Sequence, residues 1–137
     1  MKYIYLLIFV FLISCNPYYK TVDEKLNGSW AIEEMKYQNL NYKDSLLINT
    51  LFFEDNNIIS LPENIGYEKE DVQYELQSGN KLILKINSKN PIYFEKFTVK
   101  FIKNDQKKLL GIELISKKTY IKAFKFLQNY EVDGIGW

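Results

Sequence analysis

The chain predicts an all-β protein: an antiparallel, up-and-down barrel of about eight strands, with a β-sandwich as the alternative. Three observations carry this. Apolar residues alternate with polar ones over many short segments, as they do when side chains point to opposite faces of a strand. Short polar turns separate these segments at the spacing of a meander. Aromatic residues, which favour strands, are plentiful, with 11 Tyr, 9 Phe and 2 Trp in 137 residues. No stretch after residue 25 has a convincing amphipathic helical period.

The elements follow in order. A first strand is expected at 29–38, then a polar break at 39–44. A second covers 46–54 and stops at Asp55-Asn56-Asn57, because Asn and Asp tolerate positive φ. A short third, 58–61, ends at Pro62, which cannot donate to a ladder. Asn64-Ile65-Gly66 reads as loop. The fourth strand, 67–77, alternates Val72, Tyr74 and Leu76 with polar partners, and Ser78-Gly79-Asn80 reads as a tight hairpin turn. The fifth, 81–87, alternates Leu82, Leu84 and Ile86. After a turn at 88–91, the sixth, 92–103, sets Phe97, Val99 and Phe101 against Lys96, Thr98 and Lys100. Turns at 104–107 and 116–118 separate the last two strands, 108–115 and 119–127.

Alternation places Trp30, Ile32, Leu51, Phe53, Tyr74, Leu76 and Leu82 inward. It does the same for Leu84, Phe97, Val99, Leu110, Ile112, Phe124 and Phe126. Eight meandering strands can close into a barrel that has no free edge. Such a barrel is either filled by its own side chains or holds one small ligand. Both outcomes stay open here.

The N-terminus carries a different signal. Met1-Lys2 is a short positive start, and residues 3–13 are almost wholly apolar. Eleven residues match the apolar region of a secretory leader and fall short of the roughly twenty needed to span a bilayer. Ser14 then precedes Cys15, the single cysteine of the chain. Leu12-Ile13-Ser14-Cys15 resembles the lipobox of bacterial lipoproteins. The resemblance implies cleavage before Cys15, a diacylglycerol on its thiol, and an acyl chain such as palmitate on the new amine. Two or more acyl chains give a stable anchor, whereas one gives marginal binding. Residues 1–14 are thus expected to be a signal peptide and 15–25 a lipidated cysteine with a polar tether. Residues 26–127 would be the barrel and 128–137 a C-terminal tail, whose Trp137 could cap it. Resemblance to lipoprotein sorting signals adds a location, since Asp after the lipid cysteine implies inner-membrane retention. Here the residue is Asn16, and no acidic cluster follows. The expected location is the outer membrane, facing the periplasm.

Charge and composition exclude several classes. Without residues 1–14, 17 lysines balance 17 acids in 123 residues. No basic excess exists to release phosphate counterions, so nucleic acid is not an expected partner. There is no histidine, which removes the commonest general base and metal ligand. All 18 basic residues are lysine, so the bidentate fork of arginine is missing too. A Ser–His or Cys–His pair cannot be assembled. Glu33 and Glu34 are adjacent and should point to opposite faces of a strand. Asp55-Asn56-Asn57 lacks the glycine and terminal glutamate of a calcium loop. No catalytic residues, metal or cofactor are expected, and the chain does not read as an enzyme.

A second resemblance starts at Leu26-Asn27-Gly28-Ser29-Trp30, where a glycine leaves room for the tryptophan ring near a barrel end. Leu51-Phe52-Phe53-Glu54-Asp55-Asn56-Asn57 and Tyr74-Glu75-Leu76-Gln77-Ser78-Gly79-Asn80-Lys81-Leu82 follow. This order resembles bacterial lipocalin-like domains, many of which are lipoproteins. In lipocalins the matching tryptophan plugs one end of the barrel beneath a late arginine. This chain has no arginine, and Lys122 and Lys125 are the available substitutes. The resemblance implies a membrane-anchored binding module for a small apolar ligand, held by Trp30, Phe53, Tyr74, Phe97 and Phe124. The alternative is a protein-binding inhibitor or immunity-type lipoprotein of the periplasm. A cavity would favour the first, and a filled core with one flat patch rich in exposed Tyr the second.

Overall fold

The computed structural model describes residues 22, 24–104 and 108–126. Residues 1–21, with Cys15 and most of the tether, lie outside the described set, as does the tail. Nine strands form one antiparallel sheet: β1 (Gly28–Tyr37), β2 (Leu40–Asn41), β3 (Thr50–Glu54), β4 (Ile58–Ser60), β5 (Asp71–Gln77), β6 (Ile83–Ile86), β7 (Lys96–Asn104), β8 (Leu109–Ile115) and β9 (Thr119–Phe126). The pairing runs β1-β3-β4-β5-β6-β7-β8-β9 and returns from β9 to β1. Eight strands therefore close into a barrel, and β2 adds a short ninth beside β1.

The eight expected strands are all present, but three start four residues later than alternation suggests. Residues 46–49 precede β3 as an irregular segment, tied to a neighbouring loop by an isolated bridge from Leu46 to Asn64. Residues 67–70 precede β5. Before β7, Asn90 Oδ1 accepts the Ile92 N–H at 3.0 Å, and Asn90 O accepts the amides of Tyr93 and Phe94. This side-chain turn withdraws Ile92 and Tyr93 from the ladder. The connection 78–82 is wider than a tight hairpin, since Gln77 pairs with Ile83. The polar break at 39–44 holds more than expected. Gln38 and Asn39 both have positive φ, the requirement of a two-residue hairpin turn, and they reverse the chain into β2. A 3-10 turn over Lys43–Ser45 follows.

Two local details change the sequence reading. Gly28 has φ of +113°, and a Cβ there would meet nothing within 4 Å. Its role is backbone conformation, rather than room for the Trp30 ring. A bulge in β1 lies between Ile32 and Glu34. Ile32 and Met35 both point inward, so Glu33 and Glu34 both stay outside the core, where Glu34 pairs with Lys36 at 3.2 Å. The extra residue of a bulge breaks strict alternation.

The barrel has two unlike ends. At one end residues 24–26 are helical, and the connections 55–57 and 78–82 return the chain. Val22 and Leu26 are buried there, so the packed domain starts inside the stretch read as tether. At the other end lie the longer connections 38–49, 61–70 and 87–95, together with 116–118. We call these the closed end and the loop end.

Candidate functional site

At the closed end, Trp30 acts as a plug. Its side chain has no exposed surface, and its indole N–H donates to the Leu26 carbonyl at 2.7 Å. Lys125 lies on the inward side of β9, with Nζ 4.7 Å from the Trp30 ring centroid. That ammonium also donates to the carbonyls of Lys25 and Asn27. One cation thus straps the helical turn, the start of β1 and the end of β9 over the indole face. Burial lowers its pKa to about 8. Lys125 stands where the resemblance asks for an arginine, and Lys122 does not. The Lys122 ammonium lies 5.6 Å from the Phe124 ring instead.

The sequence-proposed ligand residues divide. Trp30, Phe53, Tyr74 and Phe97 point inward and are at most 4% exposed. The rings of Phe53 and Tyr74 meet edge to face, 5.4 Å apart. Leu51, Ile59, Leu84, Ile86, Ile112 and Leu114 fill the space around them and show no exposed surface. A cavity of ligand size would leave accessible surface on its lining; interdigitated side chains do not. Phe124 sits elsewhere. Thr119, Ile121 and Ala123 are buried on one face of β9, and Phe124 alternates to the outer wall. It crosses Gly111 of β8, where a Cβ would come within 2.9 Å of the ring. The inward placement of Phe124 is therefore corrected. Leu76 and Leu82 are only partly buried against the core, and the Phe126 side chain lies outside the described set.

The loop end is built from polar contacts under an apolar exterior. Ile92 and Tyr93 turn into the barrel mouth, and both are buried. Thr119 Oγ1 donates to the Ile92 carbonyl at 2.7 Å. Glu70 accepts from Ser88 Oγ at 2.7 Å and from the Lys89 N–H at 3.0 Å, joining the loop before β5 to the loop before β7. Asn64 donates to the Tyr42 hydroxyl at 3.3 Å. The Tyr93 hydroxyl reaches Met35 Sδ at 3.9 Å. Burial pushes the phenols of Tyr42 and Tyr93 up. Asn64 is buried, yet its Oδ1 has no hydrogen-bond partner. The outer surface of these loops carries Leu40, Leu47, Ile48, Ile65, Tyr67 and Phe94, all exposed.

A further open groove of about 290 Å³ lies on the outer wall, lined by Asn56, Asn57, Gln73, Tyr74, Glu75, Lys85 and Asn87. Its lining is mostly polar. Among the described residues no group of three or more potential ligands could hold a metal ion.

Sequence reasoning missed the loop end. The signal was present as apolar residues inside polar connections: Leu47-Ile48, Ile65 and Phe94. Reading 46–54 and 92–103 as strands absorbed two of these groups into a regular alternation. Comparison of the chain with protein-family models, curated proteins and solved structures found no match. The closed eight-stranded antiparallel barrel is compatible with a lipocalin-like fold.

Proposed function

We propose that this chain is a non-catalytic, lipid-anchored module of the bacterial cell envelope that binds a protein on the outside of its barrel. It would be an inhibitor or immunity-type lipoprotein of the periplasm, held to the outer membrane through Cys15. The observation that carries this reading is the filled interior. The inward aromatics Trp30, Phe53, Tyr74 and Phe97 belong to one buried cluster with the aliphatic core and are at most 4% exposed, which supports a packed interior among the described residues. The anchor rests on Leu12-Ile13-Ser14-Cys15. The chain enters the barrel at the closed end, which leaves the loop end free.

One observation favours the lipocalin-like alternative, a small apolar ligand. Asn64 Oδ1 is buried and unpartnered near the barrel mouth, beside the hydroxyl of Tyr42. An apolar molecule bearing a hydroxyl could satisfy it.

A hydrophobic fluorescent probe separates the two readings. A soluble form starting at Asn16 should take up no probe at a single saturable site. Stoichiometric uptake weakened by Phe97→Trp would instead establish an internal ligand site. The anchor has its own test: Cys15→Ser should release the protein from the membrane fraction or leave the leader uncleaved. A fully processed Cys15→Ser protein that stays on the membrane would remove the anchor from the account.

A further inference from the structure

We infer that the loop end is the docking surface, and that its partner is a different protein presenting an apolar, nearly uncharged face. This inference rests on the protein-binding reading above. Six large apolar side chains are exposed there: Leu40 (71%), Leu47, Ile48, Ile65 (69%), Tyr67 and Phe94. Their loops are fastened to one another. Glu63 O accepts the amides of Leu47 and Ile48, Ser45 O accepts that of Ile65, and Glu70 joins Ser88 and Lys89. The apolar tips are thus carried on a preorganised platform, which lowers the entropy lost on binding.

The area fits a protein. The exposed fractions amount to roughly 600–700 Å², taking about 200 Å² for a whole large side chain. The largest apolar patch of an ordinary monomer is about 300–600 Å². One side of a standard interface buries about 800 Å², so a rim of neighbouring polar atoms completes it.

Charge and geometry choose between occupants. The four connections of this end carry five lysines and five acids. This balance supplies no attraction to anionic lipid headgroups, and Glu63 and Glu68 flank Ile65 and Tyr67. A second copy is disfavoured by the anchor. Copies tethered in one leaflet through the closed end hold their loop ends facing the same way, so two mouths do not meet. What remains is a separate protein approaching from the side away from the membrane, with no strong charge of its own.

Site-specific photocrosslinking of the full chain in the intact cells that make it tests this. A photoreactive phenylalanine analogue is placed at positions 47, 65 and 94, and at positions 73 and 75 on the outer wall. The expected result is one adduct of the same added mass from all three loop-end positions and none from the wall. Adding Leu40→Glu with Tyr67→Glu should weaken that adduct at least tenfold. Circular dichroism should show the barrel unchanged, because Leu40 on the short added strand β2 and Tyr67 on a loop are both exposed. Adducts from the wall alone would overturn the assigned surface and leave the protein-binding reading standing. Adducts of twice the chain mass, or lipid adducts, would overturn the assigned partner. No protein adduct at any position would overturn the surface and the protein-binding reading together.

Discussion

The closed end and the loop end solve the same problem with different chemistry. Each must cover an opening of the barrel. The closed end does so with a large aromatic plug, one hydrogen bond to Leu26 and one ammonium over the ring. The loop end does so with a short buried turn, Ile92-Tyr93, fixed by Asn90, Thr119, Ser88 and Glu70. The closed end buries its apolar groups. The loop end buries Ile92 and Tyr93 among polar groups and leaves six other large apolar side chains outside. A polar scaffold holds loops in place without needing their outer side chains for stability, so those side chains are free to contact something else. Stability is expected to reside in the closed end, and the proposed contact in the loop end.

Substitutions at the two ends should therefore separate. Trp30→Ala is expected to have the largest effect, a loss of about 3–5 kcal/mol in chemical denaturation, the range for a large aromatic removed from a core. A loss below about 1 kcal/mol would mean that Trp30 is not the plug. At the loop end, Thr119→Val removes a buried donor and leaves the Ile92 carbonyl unpaired. It should cost about 1–3 kcal/mol. If it costs nothing, the polar scaffold is not what holds Ile92 and Tyr93 in the mouth.

Lys125→Met should change stability by no more than about 1 kcal/mol at neutral pH, because it keeps the packing of the stem and removes the desolvation cost of the ammonium along with its contacts to the ring and carbonyls. The same lysine gives the closed end a pH signature. The folded chain releases this proton near pH 8, and the unfolded chain near 10.5. Between those values unfolding takes up a proton, so the contribution of this group to stability rises with pH. Indole emission of a Trp137→Phe protein should titrate with a midpoint near 8, and the transition should vanish in Lys125→Met. A transition that survives in Lys125→Met would assign it to another group. Smallest of all, Leu47→Glu should change stability by no more than about 0.5 kcal/mol, as for an exposed site. A larger loss would show that this apolar tip is part of the core.

The closed end was legible in the sequence, and the loop end was not. Alternation placed Trp30 inward at the opening of the first strand, and the resemblance of Leu26-Asn27-Gly28-Ser29-Trp30 to lipocalin-like domains implied a plug there. Lys122 and Lys125 were both visible as substitutes for the missing arginine, but placing Phe124 and Phe126 inward favoured the parity of Lys122, and the buried Ile121 and Ala123 reverse that choice. Alternation also identified all eight barrel strands, since each buries one face. It failed where that premise failed. Phe124 lies outside because Gly111 opens a space on the outer wall of β8, and cross-strand partners cannot be read from one strand. Glu33 and Glu34 share a side because a bulge adds a residue to β1. Asn64 meets Tyr42, Tyr93 meets Met35 and Thr119 meets Ile92, each contact joining residues far apart in the chain. No local pattern records which loops will meet over a barrel mouth.

The central claim is that the interior is filled and binding occurs at the loop end. It is tested most directly by a two-dimensional amide NMR titration of the soluble form with a long-chain alcohol. The account predicts that the amides of Phe97, Ile112 and Leu114 keep their positions at every concentration, with any change confined to the loops that carry Leu47, Ile65 and Phe94. Saturable shifts of the inward amides at one equivalent of alcohol would contradict it.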